Sequence, residues 1–184
     1  PLAYNPNHGQ LIDEFDGVRD LKDKVVRAVG DANERFREDA LRMLRAIRFS
    51  TQLGFTIANE TMQGIVENSV LLKHISWERK RDEFTKIIES SEPMVGVGFL
   101  ERLNLLEHII PELREGIGCE QGGVHIYDVF EHLLQALGHA AGKDWPLTIR
   151  LAALFHDIGK PRTKRPGKAK PTFYGHEVVG ARMT

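Results

Sequence analysis

The sequence predicts an all-α chain preceded by a short irregular, β-like stretch. From Asp31 onward, apolar residues recur at helical spacing rather than in strict alternation. Residues that open or end helices (Gly54, Asn59, Ser76, Pro93) punctuate this pattern at helix-length intervals. Strand-like runs bounded by turn residues are confined to residues 1–30.

Within 1–30, Pro6, Asn7, Gly9 and the Asp16-Gly17 pair mark turns, and LIDEF and KVVRAVG supply short extended pieces. The run ANERFREDALRMLRAIRFSTQLGF then places Phe36, Ala40, Met43, Leu44 and Ile47 on one helical face, with Gly54 as the stop. Asn59 opens a second helix, and Ser76 opens a third as a cap three residues before Arg79. After Pro93, VGVGFLERLNLLEHIIPELREG predicts one or two short helices ending near Gly116. The Gly-rich CEQGGVH is the best domain boundary in the chain. Two helices follow, over about 126–141 and 146–158, then the basic loop GKPRTKRPGKAKPTFYGH and the start of a last helix in GHEVVGARMT.

Composition narrows the function classes. With 41% hydrophobic and 28% charged residues, the chain has a soluble globular profile and is neither disordered nor fibrous. No apolar run is long enough to span a membrane, and PLAYNPNHGQ lacks the features of a secretory signal. The single Cys119 excludes an intramolecular disulfide and fits a reducing cytoplasm. A net charge of −1 gives no hint of nucleic acid, but the cations are unevenly placed. Arg35, Arg37, Arg42, Arg45 and Arg48 crowd one stretch; Lys160, Arg162, Lys164, Arg165, Lys168 and Lys170 crowd another. Such patches hold phosphates or are simply solvated charged faces.

Asp39 and Arg42 stand three residues apart in the helical pattern, so both can point into one cleft. A carboxylate takes the exocyclic amine of adenine or cytosine, and a guanidinium donates to the ring nitrogen beside it. Guanine and uracil offer the mismatched groups, at roughly 1–3 kcal/mol per bad contact. In isolation the same pair reads first as a surface salt bridge worth under about 1 kcal/mol. Arg79, Glu83 and Lys86 share one helix face and read first as an i,i+4 salt-bridge ladder.

The series of motifs resembles one family. RFREDALRMLRAIRFSTQLGF is similar to the nucleotide-selecting motif of class II tRNA nucleotidyltransferases and bacterial poly(A) polymerases. DEFDGVRDL, with Asp16, Gly17 and Asp20, resembles the joint between the polymerase head and neck; PLAYNP resembles the end of the motif before it. ISWERKRDEFTKII supplies Arg79, Glu83 and Lys86 in the neck-helix pattern. The resemblance implies a head–neck remnant over 1–30 and a helical neck and body over 31–115. It further implies that Asp39 and Arg42, supported by Arg45, pair with incoming CTP or ATP for addition to a tRNA 3′ end. Arg79, Glu83 and Lys86 then buttress the base-reading helix. Nucleotidyl transfer needs Mg2+ held by closely spaced carboxylates. The family carries these in a β-sheet head, as an Asp-x-Asp strand that residues 1–30 do not supply. No catalytic residue is therefore expected in this chain, which reads as beginning after the active site. CCA, CC-only, A-only and poly(A) addition share these motifs.

A second constellation lies beyond the joint. His125, Asp128 and His132 fall on one face of a predicted helix, and the apolar LAALF helix ends in His156-Asp157. Imidazoles and a carboxylate brought together suit Mn, Fe, Ni, Zn or Mg to different degrees. HDIGKP resembles the HD superfamily of metal-dependent phosphohydrolases, implying a partial HD domain over 121–184. His132, His156 and Asp157 are then metal ligands, while Lys160 and His176 contact a phosphate or the metal. The family's final Asp lies further downstream than Thr184, so a weakened site is expected. His108, His125 and His139 read as ordinary core or surface residues. Two further readings stay open: a phosphohydrolase module carried on scaffold helices, or a non-catalytic RNA-binding module.

Overall fold

The fold is described from a computed structural model covering residues 2–122, 126–167 and 170–184. His125 and Lys168 lie outside the described residues.

The front is a small antiparallel hairpin. Strand β1 (Ala3–Asn5) pairs with β2 (Gln10–Ile12), with Tyr4 opposite Leu11. Helix α1 (Gly17–Lys22) follows, which the extended patterning of this stretch does not predict. Its start is set by Asp13, whose two carboxylate oxygens accept from the Gly17 and Val18 N–H groups at 2.7 and 2.9 Å. The Val18 bond, aided by Gly17, holds the Asp13 carboxyl below its usual range. Asp20 ties α1 back to Arg27, which also reaches Glu60. Strand β3 (Val25–Val26) runs parallel to a later strand, β4 (Thr56–Ile57).

Asp31 caps helix α2 (Ala32–Glu38) by accepting from the Glu34 N–H. The single long helix expected from Asp31 to Gly54 is in fact two. The chain is extended at Asp39 (φ −152°) before α3 (Leu41–Leu53) begins. The cause is local: the Asp39 side chain accepts from the Leu41 N–H, offering the backbone an alternative to a continuous ladder. Helix α3 buries Leu41, Met43, Leu44 and Ile47, leaves Arg42, Arg45 and Arg48 toward its other face, and ends at Gly54 in the left-handed region. Helix α4 (Asn59–Asn68) and a 3-10 turn (Ser69–His74) follow.

Helix α5 (Trp77–Ile88) packs along α3 through Phe84, Ile87 and Ile88. Ser76 sits at its N-cap position without a capping side-chain bond, contrary to the sequence expectation. Pro93 opens α6 (Pro93–Arg102), where its missing N–H is not needed. A 3-10 turn (Leu106–His108) and short α7 (Pro111–Arg114) lead to the Gly-rich joint.

Beyond the joint come α8 (Val129–Gly142), α9 (Leu147–Phe155), α10 (Lys160–Thr163) and α11 (His176–Met183). Asp128 is the cap of α8 rather than part of its face: its carboxylate accepts from Glu131 and Gly118 N–H groups, both at 2.7 Å. It therefore does not share a helix face with His132, as the spacing had suggested.

One apolar core runs across the joint. Leu44, Ile47, Ile87, Leu100 and Leu113 belong to the same buried cluster as Val129, Leu133, Leu137, Leu154 and Ile158. A buried cation reinforces it. Arg150 of α9 donates to the Ile88 and Ser90 carbonyls at 3.1 and 2.7 Å, satisfying groups at the end of α5. Among the described residues no helix is long and apolar enough to cross a membrane.

Candidate nucleotide-selecting cluster and candidate metal centre

The first cluster lies where α2, α3 and α5 meet. Because the chain breaks at Asp39, that carboxylate leaves the α3 face and turns to α5, where Arg79 Nη2 lies 2.9 Å from its Oδ2. Arg42 pairs instead with Glu38 at 2.6 Å and with the Arg35 carbonyl at 3.0 Å. Asp39 and Arg42 are thus adjacent, linked by a backbone bond from Arg42 N–H to the Asp39 carbonyl, yet each holds a different charge partner.

Arg79 and Glu83 do not form the expected i,i+4 rung. Glu83 turns toward α3, accepting from Arg48 at 2.7 Å, with Arg45 and Lys86 each 3.7 Å away. The Glu83 side chain is only 6% exposed, against 46% for Arg79 and 39% for Arg42. That difference ranks the contacts. The half-exposed pairs are worth under about 1 kcal/mol and exchange readily, whereas the buried Glu83–Arg48 contact fixes α3 on α5. Arg48, which the motif reading did not single out, is the chief partner of Glu83 and also stacks over Phe49. Beside this cluster, Arg35, Arg42 and Arg45 line a cavity of about 360 Å3 with Phe36 and Phe49. The Arg35 Nε is buried without a hydrogen-bond partner among the described residues.

The front motif residues shape the entry to α1 and its contact with Arg27. Gly17 begins α1 on the Asp13 cap, Asp16 adopts a left-handed conformation (φ 53°), and Asp20 holds Arg27.

The second cluster gathers His132 from α8 with His156 and Asp157, just past the end of α9. His132 Nε2 lies 3.1 Å from His156 Nε2 and 3.3 Å from Asp157 Oδ2, and His156 Nε2 lies 3.2 Å from the same oxygen. The His156 Nδ1 lies 2.8 Å from the Ala153 carbonyl, which can only accept. Nδ1 therefore carries a hydrogen, and Nε2 faces the cluster with its lone pair or a second proton. Separations of 3.1–3.3 Å between these atoms suit hydrogen bonds from an imidazole N–H, or donors gathered around a shared cation. The hydrogen bond to Asp157 raises the His156 imidazole against its burial. Burial alone would raise the Asp157 carboxyl, but hydrogen bonds from His156 and Lys160 outweigh it and hold the group well below the usual carboxylate range.

Two flanking residues complete the surroundings. Lys160 Nζ lies 2.6 Å from Asp157 Oδ2, and His176 Nε2 lies 3.2 Å from Oδ1. His176 reaches this place because Gly159 has no side chain: a Cβ there would meet the His176 carbonyl at 2.2 Å and the Gly180 nitrogen at 2.6 Å. The glycine of the HDIGK run thus permits the backbone contact that brings α11 against α10.

The donor set fits a divalent cation. One ligand atom each from His132, His156 and Asp157 lie within 4.8 Å of one another, and two imidazoles with a carboxylate suit Mn, Fe, Ni or Zn better than Mg or Ca. His108 and His139 lie apart from this cluster: His108 is buried beside Glu107, and His139 packs edge-on to Trp145. Sequence reasoning missed Gln121, whose Oε1 accepts from Lys160 Nζ at 2.7 Å. No periodicity marks it, since it sits in the joint and reaches α10 only through the fold.

Two family models match the chain in series. Residues 54–117 match the "Probable RNA and SrmB- binding site of polymerase A", and residues 125–184 match the HD domain. The A-adding tRNA nucleotidyltransferase of Deinococcus radiodurans is 42% identical over 184 residues, covering 95% of this chain and 42% of the relative. The CC-adding tRNA nucleotidyltransferase of Thermus thermophilus is 35% identical, covering 89% of this chain and 39% of the relative. Among solved structures, the Bacillus stearothermophilus CCA-adding enzyme in complex with CTP aligns with a TM-score of 0.59 at 29% identity, over 83% of this chain and 42% of that one. The Thermotoga maritima CCA-adding enzyme complexed with tRNA aligns with a TM-score of 0.62 at 25% identity, over 84% and 37%. The chain spans about two fifths of the length of these relatives. The chain is thus similar, almost end to end, to part of these tRNA nucleotidyltransferases, and it carries a polymerase A RNA-binding segment followed by an HD domain.

Proposed function

We propose that this chain supplies the base-selecting and RNA-binding part of a template-independent RNA 3′-end nucleotidyltransferase. It adds C residues, A residues or both to tRNA. Its partners are CTP, ATP and the tRNA 3′ end, and Mg2+ serves the transfer. Residues 1–30 join this part to the transfer machinery, 31–115 select the nucleotide and contact RNA, and 121–184 form the HD segment.

The observation that carries the reading is the cavity lined by Arg35, Arg42, Arg45, Phe36 and Phe49, with the buried Arg35 Nε lacking an acceptor among the described residues. Guanidinium groups beside aromatic side chains suit a base with its attached phosphates. Asp39 accepts the exocyclic amine of A or C, and Arg42 donates to the adjoining ring nitrogen. Both release half-exposed partners to do so, at small cost. Glu83 holds Arg45 and Arg48, and so the orientation of α3, while this exchange occurs.

A second reading applies to the HD segment, and the convergence of His132, His156 and Asp157 favours it. These residues would hold a divalent metal ion, which supplies a Lewis acid for phosphate-ester hydrolysis when bound. Lys160 and His176 would then contact the phosphate.

Residues 1–184 alone, incubated with CTP, ATP, Mg2+ and a tRNA lacking its 3′ end, are expected to add no nucleotide. Asp13 commits both carboxylate oxygens to capping α1, and Asp20 pairs with Arg27, so neither is free to hold the metal. The chain fused behind the upstream residues of the Deinococcus radiodurans relative is expected to extend the tRNA by C or A only. Extension by 1–184 alone, or addition of G or U by the fusion, on a sequencing gel would overturn the assignment.

A further inference from the structure

Gln121 lies between the two matched segments, in the Gly-rich joint, yet it is 3% exposed and built into the second cluster. Its Nε2 donates to the Tyr127 carbonyl at 3.3 Å, which orients the amide. Its Oε1 then faces Lys160 Nζ at 2.7 Å, while Asp157 Oδ2 takes a second hydrogen of the same ammonium at 2.6 Å. The Lys160 side chain is only 14% exposed and lies over the Phe173 ring at 5.6 Å. Two acceptors and an aromatic face thus fix a cation adjoining the His132, His156 and Asp157 donors.

The same residues open onto a cavity of about 390 Å3, lined by Gln121, Lys160, Lys170, Phe173, Tyr174 and His176. An ammonium held by two acceptors has a third hydrogen to give, and this cavity is the space it borders. A phosphate group there would meet Lys160, the His176 imidazole and Lys170, with aromatic walls suited to the remainder of an ester.

We propose that Gln121 is a positioning residue for phosphate binding: it holds the Lys160 ammonium as the anion anchor of the cavity beside His132, His156 and Asp157. The joint between the RNA-binding segment and the HD domain thereby completes the HD centre. An HD segment separated from the joint loses that anchor. The proposal rests on the metal and phosphate reading of this centre given above. Without the amide oxygen, Lys160 keeps Asp157 as its hydrogen-bond acceptor and collapses onto it, away from an incoming anion.

The test uses the full chain in two steps: Mn2+ titration followed by electron paramagnetic resonance, then orthophosphate titration of the Mn2+-saturated protein by calorimetry. Gln121→Met is expected to keep Mn2+ affinity within about twofold and to lose phosphate affinity about five- to tenfold, the scale of one charge-assisted hydrogen bond. Lys160→Met is expected to lose at least as much phosphate affinity, and the double variant no more than Lys160→Met alone, because Gln121 acts through Lys160. Gln121→Asn keeps a buried amide but cannot reach Nζ, and is expected to show the same loss should the methionine variant not fold. Wild-type phosphate affinity in Gln121→Asn, or full additivity in the double variant, would overturn the positioning role. Failure of the wild-type chain to bind Mn2+ would instead overturn the metal reading of the centre, and this inference with it.

Discussion

Replacing Arg150 by methionine is expected to cost about 3–5 kcal/mol of folding stability, read as a lower denaturant midpoint with an unchanged slope. Arg150 is 6% exposed and gives hydrogens to the Ile88, Ser90 and Trp145 carbonyls, and at 3.5 Å to Asp144. Methionine fills much of the volume but satisfies none of those carbonyls. Each buried acceptor left unpaired costs roughly 1–3 kcal/mol, so two or three together remove a large part of a typical 5–15 kcal/mol stability. The effect should exceed that of removing any half-exposed pair, such as Arg79→Ala at Asp39. The loss also falls at a particular place, because Arg150 joins the end of α5 to the helix that leads into His156 and Asp157.

His132→Ala is expected to weaken Mn2+ binding by more than the roughly 10–100-fold that changing an outer partner of a metal ligand costs. His132 brings the only donor of the cluster that comes from α8; the other two are consecutive residues after α9. Its loss leaves one imidazole and one carboxylate, the latter already held by Lys160. The readout is thermal denaturation with and without metal. At Mn2+ one hundred times the dissociation constant, the wild-type chain gains about 2.7 kcal/mol by linkage, whereas the variant gains almost nothing. Equal Mn2+-induced shifts in the two proteins would remove His132 from the centre.

The chain shows which features a sequence displays and which it conceals. Helices were legible wherever apolar periodicity and a stop residue coincided, as in α3 with Gly54 and α6 after Pro93. The break between α2 and α3 was not, because periodicity continues through it; only the Asp39 side chain, bonding the Leu41 N–H, interrupts the ladder. Helix α1 escaped notice for the opposite reason: it is a single turn and a half, fixed by an Asp13 cap rather than by an apolar stripe. The resemblance of HDIGKP and the helix before it to the HD superfamily named His132, His156, Asp157 and Lys160, which the fold brings together. Partner choice was harder to read. Arg79 and Glu83 have ladder spacing, yet each turns across to a different element, because a buried carboxylate on the core side of α5 takes the nearest α3 guanidinium. Gln121 left no sequence signal at all, since its role exists only once the joint folds over α10.

Selection of the incoming base by Asp39 and Arg42 is read from the equilibrium affinities of ATP, CTP, GTP and UTP for the chain, measured by competition against one fluorescent adenine nucleotide. ATP and CTP are expected to bind about tenfold or more tightly than GTP and UTP, the equivalent of one mismatched contact at roughly 1–3 kcal/mol. Asp39→Ala is expected to bring the four together. Equal binding of all four by the wild-type chain, or a preference for A and C that survives Asp39→Ala, would contradict selection by this pair.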